Sequence, residues 1–335
     1  MSAGRWSGGS PAVEQAVRTL RSGGLVAIPT ETVYGLGADA ENVGAVERVF
    51  AVKGRPPTHP LIVHIGGAHQ LDDWAAEVPE PARRIAERFW PGPLTLVLRR
   101  SRRVPDAVTG GLETVALRVP AHPAALDVLT AFGGGVAAPS ANRFGHVSPT
   151  TADHVVEGLG ADVDYVLDGG PCEVGVESTI LDLTDEPVIL RPGGVAREEL
   201  AKVMGVPVRV GAKAAVRVPG QHPSHYAPRA RVCLVEPDRV VDEAERLREK
   251  GHRPGVLLPS AYASRSASPA GQVVVEVPHA DEEYARRLYE FLRHFDRRRC
   301  DVVVASLPEP RGIGLAIADR LRRAAGPRDA TPREP

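Results

Sequence analysis

Two cations stand two residues apart in "FAVKGRPPTHPLIVHI": Lys53 and Arg55, on either side of Gly54. Paired positive groups at a glycine hinge suit the oxygens of a polyphosphate. The same pair could equally be a solvated helix C-terminus, where basic side chains complement the helix dipole. Upstream, "IPTETVYGLGAD" gathers Thr30, Glu31, Thr32 and Tyr34 into a loop that runs into Gly35 and Gly37. Its hydroxyls can bond a small polar molecule, and the glycines let backbone approach it. Thr30, Glu31 and Tyr34 could also serve only to brace the loop. Arg118 interrupts the apolar run of "ALRVPAHP". An arginine in a buried strand needs a counter-charge, supplied either by an internal acid or by a ligand's carboxylate or phosphate.

Similar groups recur downstream. "VAAPSANRFGHVSPT" sets Ser140 and Asn142 in a turn after a strand, and Ser148-Pro149-Thr150 reads as the cap of the next helix. In "GVESTILDL" and "VILRPGGV", Ser178, Thr179 and Arg191 stand at strand ends. His59 and His64 bracket another strand. Such histidines are usually satisfied core or edge residues, although His64 could equally face a ligand carboxylate. Each signal has an ordinary structural explanation. Together they place hydroxyls and cations at strand ends while the strands stay apolar, which is what a cleft for a nucleotide and a small polar molecule needs. No G-x-x-x-x-G-K-[ST] is present, and "GIGLAIADRL" from Gly312 lacks the third glycine of a dinucleotide fingerprint.

The elements that must position these groups follow from periodicity. Strands are predicted over Leu25–Ile28, Leu61–His64, Leu94–Leu98, Val115–Val119, Val136–Ala138, Tyr165–Leu167, Ser178–Leu183 and Val188–Leu190. Helices are predicted over Val13–Ser22, Val43–Val52, Pro81–Phe89, Pro123–Ala131, Thr151–Gly158 and Arg197–Val203. The late strands follow each other closely, so part of the sheet is expected to be antiparallel. The pattern lapses over 206–229, which holds Pro207, Pro219, Pro223 and Pro228 and reads as a linker. Beyond it, strands over Val232–Val235, Gly255–Leu258, Val273–Val277 and Val302–Ala305 alternate with helices over Val240–Glu249, Glu282–Phe295 and Ile313–Ala324, as in a small parallel α/β domain. The expected division is therefore 1–205, linker 206–229 and 230–335.

Bulk properties exclude several classes. A chain of 335 residues with net charge −1 has no global field toward nucleic acid or membrane. Of its 41 basic residues only Lys53, Lys202, Lys213 and Lys250 are lysines, as a GC-rich genome would give. Cys172, Cys233 and Cys300 show neither zinc nor disulfide spacing, which suits a reducing cytoplasm. The N-terminal segment has no signal-peptide core, and no apolar run approaches the roughly 20 residues of a membrane span.

"PTETVYGLGADA", "KGRPPTHPLIVHI", "WPGPLTLVL", "LRVPAHP", "APSANRFGHVSPT" and "GVESTILDL…ILRPGG" together resemble the YrdC-type threonylcarbamoyl-AMP synthases, over roughly residues 10 to 205 and in order. "HPSHYAP" and the 230–325 region resemble the long, two-domain form. The resemblance implies an open, twisted, mixed α/β sheet with a concave, positively charged face, then a Rossmann-like parallel α/β domain. It implies a nucleotidyltransferase that joins L-threonine, bicarbonate or carbon dioxide, and ATP into threonylcarbamoyl-AMP and pyrophosphate. A separate tRNA threonylcarbamoyl transferase complex would consume the product beside the anticodon. Residue roles carry over by motif. Thr32, His64, Arg118 and Ser178 correspond to threonine contacts, and Lys53 and Arg55 to the catalytic basic pair on the ATP phosphates. Ser140 and Asn142 match the S-x-N pair on the nucleotide, with Thr114, Ser148, Arg191 and Tyr226 as further ATP contacts. His59 replaces a common Asn, so its place near the phosphates is open. Magnesium would arrive on ATP, with no carboxylate cage of its own. Tyr226 and the linker are expected to cover the nucleotide. Rivals are a hydrogenase-maturation carbamoyl-adenylate domain, whose Cys-x-x-Cys is missing, and a non-catalytic module gripping double-stranded RNA. For the enzyme, RNA contact is expected to be weak at most.

Overall fold

The computed structural model describes residues 10–211, 218–219, 226–265 and 273–326. Linker residues 212–217 and 220–225, including most of "HPSHY", lie outside the described residues. Chain contacts divide the molecule into two units, one of residues up to 144 and from 148 to 220, the other of 145–147 and 221 onward.

The first unit runs α1 (Pro11–Arg21), β1 (Val26–Ile28), β2 (Gly35–Asp39), α2 (Val43–Lys53), β3 (Ile62–His64), α3 (Leu71–Trp74), α4 (Glu80–Phe89), β4 (Leu94–Arg99), α5 (Asp106–Thr109), β5 (Thr114–Arg118), α6 (Pro123–Phe132), β6 (Val136–Ala137), α7 (Ala152–Leu159), β7 (Tyr165–Val166), β8 (Thr179–Asp182), β9 (Val188–Arg191), α8 (Arg197–Met204) and β10 (Arg209–Val210). The strands form one open sheet in the order β10-β9-β8-β4-β5-β3-β6-β2-β1-β7. It is mixed: β1 pairs β7, β3 pairs β5 and β4 pairs β8 in parallel, while β1–β2, β4–β5 and β8–β9 are antiparallel.

Side-chain alternation sorts the sheet residues onto two faces. On one face, Ala27, Leu36, Val63, Leu96, Leu117, Leu181 and Ile189 form the main core with α2, α4, α7 and α8. On the opposite face, Val13, Ala16, Val17 and Leu20 of α1, spaced as one helical stripe, pack with α6 over Val26, Ile28, Val136 and Ala138. Ser10 caps α1 by accepting from Val13 N. Farther along this same face lies a small cluster of Ile62, Val97, Ala116, Ile180, Val188 and Leu190, joined by Val218 of the linker. His64 and Arg118 are each two residues beyond a member of that cluster, and Thr114 two before one, so all three share its face.

Besides the short helices α3 and α5, which were not expected, three features depart from the sequence expectation. Gly35–Asp39 was expected as loop but is a strand antiparallel to β1. Its small residues are there for packing: a Cβ on Gly37 would lie 2.9 Å from both Ile28 Cδ1 and Val136 Cγ1. Arg209–Val210, expected in the linker, forms an edge strand parallel to β9. Thr151, not Ser148 to Thr150, caps α7, accepting from His154 N.

In the second unit, β11 (Arg231–Leu234), α9 (Val240–Glu249), β12 (Pro254–Pro259), β13 (Val273–Val277), α10 (Asp281–Arg297), β14 (Val302–Ala305) and α11 (Gly314–Ala324) build an all-parallel sheet of order β11-β14-β12-β13. Ala227 N donates to Gly145 O, and Arg293 to Val147 O, which is why 145–147 belong to this unit. Among the described residues, no helix is long and apolar enough to cross a membrane.

Candidate active site

The hydroxyl loop between β1 and β2 is closed on itself and then tied to its neighbours. Thr30 Oγ1 donates to Val33 O at 2.6 Å and accepts from Thr32 N and Val33 N, both at 3.2 Å. Thr32 Oγ1 lies 2.8 Å from Thr30 Oγ1. Arg118, at the end of β5, donates through Nη1 to Thr32 Oγ1 (2.9 Å), through Nη2 to Glu31 Oε1 (2.7 Å) and through Nε to Gly92 O (3.3 Å). Glu31 Oε2 also accepts from Ala121 N at 3.0 Å. Of the two alternatives for Arg118, the internal acid is present, as Glu31. These three bonds use three of the guanidinium's five N–H groups. Tyr34 braces the loop, with its hydroxyl donating to Gly170 O at 2.7 Å and accepting from Gly169 N at 3.1 Å.

His64 is paired in register with Arg118 across β3 and β5. Burial, with the Arg118 charge beside it, pushes its pKa from the ordinary 6.5 down to about 3, so the ring is neutral. Its Nδ1 is buried and makes no hydrogen bond among the described residues.

Ser178 immediately precedes β8 and is fully buried. Its Oγ lies 2.8 Å from Thr95 Oγ1 and accepts from Arg191 Nη2 at 3.0 Å. Arg191 also holds Ser178 O through Nε and Nη2, and its Nη1 donates to Pro219 O at 3.1 Å. Gly193 explains the tightness here: a Cβ on it would lie 2.2 Å from Ser178 C and 2.3 Å from Glu177 O.

The cation pair is built by the end of α2. Gly54 adopts φ 62°, ψ 32°, the left-handed C-cap that favours glycine, and turns Arg55 back so that its N–H reaches Phe50 O. Lys53 is buried, and its Nζ donates to Ser140 O and Asn142 O. Burial holds the ammonium pKa well below its usual value, and the positive charges of Arg55 and Arg143 lower it further. Arg55 donates through Nη2 to Pro60 O at 2.9 Å, and its guanidinium lies 6.0 Å from the Phe144 ring centroid. His59 sits against the same ring at 5.6 Å.

The two clusters abut. Ala141 N donates to Tyr34 O and Leu36 N to Pro139 O, so the hydroxyl loop is stitched to the turn whose carbonyls take Lys53. Ser148 Oγ, in the same turn region, donates to Glu177 Oε1 at 2.7 Å, next to Ser178. Thr114 shares the face but stands at the opposite end of β5 from Arg118. Tyr226 belongs to the second unit, where its buried ring stacks on Tyr289 (6.0 Å) and lies 4.8 Å from the Arg320 guanidinium. Sequence reasoning missed Glu177 and Thr95, and left Glu31 as a brace. Their partners are 29, 83 and 87 residues away, beyond any local pattern. Among the described residues, no group of three or more His, Cys, Asp or Glu is placed to hold a metal ion.

Residues 18–193 match the Sua5/YciO/YrdC family model, described as Telomere recombination, and residues 195–326 match the threonylcarbamoyl-AMP synthase C-terminal domain. The chain is 46% identical over 319 residues to a threonylcarbamoyl-AMP synthase of Pyrococcus abyssi, covering 92% of each. It is 42% identical over 337 residues to one of Bacillus subtilis, covering 95% of this chain and 94% of that one. Its fold is similar to the crystal structure of P. abyssi Sua5 complexed with L-threonine, with TM-score 0.87 and 43% identity over 93% of this chain and 94% of the other.

Proposed function

The chain belongs to the Sua5/YciO/YrdC family of threonylcarbamoyl-AMP synthases, in its two-domain form, and from that premise we propose how its own residues perform the reaction. L-Threonine, carbon dioxide or bicarbonate, and ATP become threonylcarbamoyl-AMP and pyrophosphate. The amine forms a bond to carbon dioxide and loses a proton. A carbamate oxygen then attacks the α-phosphorus as the bond to the pyrophosphate oxygen breaks.

The observation that carries this reading is the buried Arg118, fixed by Glu31 and Thr32 beside a cradle of buried Lys53 and Arg55. In it, Arg118 takes the threonine carboxylate, with Thr32, neutral His64 and Ser178 completing the amino-acid site. Lys53 and Arg55 take the phosphates and the charge that grows on the leaving pyrophosphate. Ser140, Asn142, Arg191 and Thr114 contact the nucleotide, with His59 at the phosphate edge. Ser148 gives its only proton to Glu177, so toward the nucleotide it accepts, from a ribose hydroxyl or a base amine. The same reading gives Tyr226 a nucleotide contact and the linker the role of shielding a labile mixed anhydride. Nothing covalent falls to the protein, so placement dominates.

The groups around the phosphate end are cations and carbonyls, so magnesium comes as part of MgATP, held by phosphate oxygens and water. A tRNA threonylcarbamoyl transferase complex consumes the product, in the cytoplasm where tRNA is modified. The test is incubation of the protein with ATP, bicarbonate and labelled threonine, with mass detection of the adenylate. Absence of threonine-dependent pyrophosphate would sink the proposal, and salt-sensitive RNA binding without turnover would favour the RNA-binding alternative.

A further inference from the structure

Six arginines meet at one end of the second unit, where its parallel strands begin. Arg229 and Arg231 lead into β11, Arg253 leads into β12, and Arg297, Arg298 and Arg299 stand between α10 and β14. Backbone bonds stitch the three segments together: Arg231 N donates to Asp301 O at 2.8 Å, Asp301 N to Arg253 O at 3.2 Å and Arg299 N to Asp296 O at 3.0 Å. All six arginines are exposed. The acids of these segments, Asp296 and Asp301, are spent on the loops. Asp296 accepts from Arg229 N at 2.9 Å and Ala230 N at 3.0 Å. Asp301 accepts from Arg253 N at 3.0 Å, and its other oxygen lies 3.3 Å from His252 Nδ1. Among the described residues, Arg231, Arg253, Arg297, Arg298 and Arg299 pair with no carboxylate. The helix dipole accounts for a cation in the last turn, such as Arg297. It does not account for Arg229, Arg231 and Arg253, which lie outside helices, nor for Arg299. Arg299 adopts φ 56°, in the left-handed region that favours glycine, so an arginine stays exposed where glycine would cost less.

We infer that this edge of the second unit binds the phosphate backbone of RNA, through guanidinium–phosphate contacts that read no sequence. The whole chain carries −1, so the attraction is local. An acidic protein surface would also meet the charge. Protein interfaces, however, are built around an apolar core, and the large apolar side chains exposed among the described residues, Val43, Val156, Val206 and Val210, all belong to the first unit. A small nucleotide ligand would sit at the carboxyl ends of parallel strands, whereas these arginines stand at the amino ends. The choice of RNA among polyanions rests on the reading above, in which a labile product is destined for tRNA.

The test is fluorescence anisotropy of a labelled, unmodified tRNA transcript titrated with the full-length protein between about 50 and 200 mM salt. Binding should weaken steeply as salt rises. Arg299→Gly suits its backbone, so the melting temperature is expected to hold or rise. Binding should weaken about threefold, as for one exposed ion pair, and the slope of log K against log salt should fall by roughly one. Arg297→Gln, Arg298→Gln and Arg299→Gly combined should weaken binding roughly thirtyfold. Arg287→Gln removes a single charge about 18 Å back along α10 and should change neither affinity nor slope. Threonine-dependent pyrophosphate release, read in parallel, should persist in every variant; failure of the synthase reading would show there, in the parent protein, and not in the titration. The inference is overturned if the tRNA does not bind at about 50 mM salt, or if the triple variant binds it as the parent does. It is equally overturned if Arg287→Gln costs as much as Arg299→Gly, or if poly-L-glutamate binds as tightly as tRNA, which would point to a protein partner.

Discussion

Arg118 and Glu31 form an ion pair at 2.7 Å with side chains only 5% and 7% exposed. Removing one partner of such a pair leaves a buried, uncompensated charge, at a cost of about 3–5 kcal/mol. Arg118→Ala should lower the melting temperature by several degrees, since each kcal/mol moves it by about 2–4 °C in a domain of this size. The Glu31→Ala, Arg118→Ala double variant should recover part of that loss. Thermal unfolding of both checks this; a double variant as unstable as the sum of the singles would mean the pair is not coupled.

Lys53 carries the reaction's phosphate end in this reading, and its burial has a pH consequence. Its pKa is held down in the free protein by burial and by the charges of Arg55 and Arg143. A polyanion beside it raises that pKa again, so ATP binding takes up a proton wherever free Lys53 is neutral. ATP affinity should therefore fall as pH rises through the depressed pKa. Lys53→Arg, always charged, should flatten the dependence. Lys53→Ala should lower threonine-dependent pyrophosphate release about 10- to 100-fold, for a charge-assisted bond of about 1.5–3 kcal/mol. Calorimetric titration across pH and pyrophosphate assays are the measurements.

His64 predicts an acid limb in stability. The folded ring holds its proton only below about 3, the unfolded ring below 6.5. Between those values the unfolded state binds the extra proton, so His64 contributes stability above pH 6.5 that is lost progressively as pH falls toward 3. His64→Gln should remove that part of the slope, seen in urea unfolding at a series of pH values. An identical slope in the variant would show that the ring already titrates normally in the fold.

What the sequence made legible follows a physical boundary. Strands rich in Val, Ile and Leu, and helices such as α1 with an apolar stripe, signal themselves locally, and those elements were expected within a residue or two. β2 was not, because Gly37 is small to admit Ile28 and Val136 and Gly35 lies close against Ala138, and smallness reads as loop. At the site, the resemblance named the residues to which ligand contacts are assigned. It did not name Glu31, Glu177 or Thr95, whose job is to hold those groups, because a counter-charge is chosen by the fold's long-range contacts and any acid in the chain could have filled the role. Tyr226 illustrates the converse: the motif marks the residue, while its packing against Tyr289 and Arg320 came only with the structure.

Gly193 should tolerate no side chain. A Cβ would sit 2.2–2.3 Å from backbone atoms of Glu177, Ser178 and Thr179, so Gly193→Ala must push apart the strand entry that positions Ser178 and Arg191. Strain of this kind costs about 1–3 kcal/mol, and activity should drop roughly tenfold or more. Gly158, inside α7 with nothing within 4 Å of its Cβ position, is the control: Gly158→Ala should be neutral or stabilising by about 0.5–1 kcal/mol. Paired melting and pyrophosphate assays on the two variants decide it.

Val218 ties the linker to the sheet face that carries Ile62 and Ala116. It packs with Ile62, Val97, Ala116, Ile180, Val188 and Leu190, and its neighbour Pro219 offers the carbonyl that takes Arg191 Nη1. The remaining nitrogens of Arg191 hold Ser178, so this segment helps to aim the side chain that the proposed function assigns to the nucleotide. Val218→Asp puts an unpaired carboxylate into an apolar cluster, which the segment relieves by leaving it. The KM for ATP should then rise by roughly tenfold, equivalent to about 1.4 kcal/mol, while Val218→Ala, which leaves the segment seated, should change it by less than about threefold. An unaltered KM for ATP in Val218→Asp would show that the linker's seat on the sheet does not serve the nucleotide.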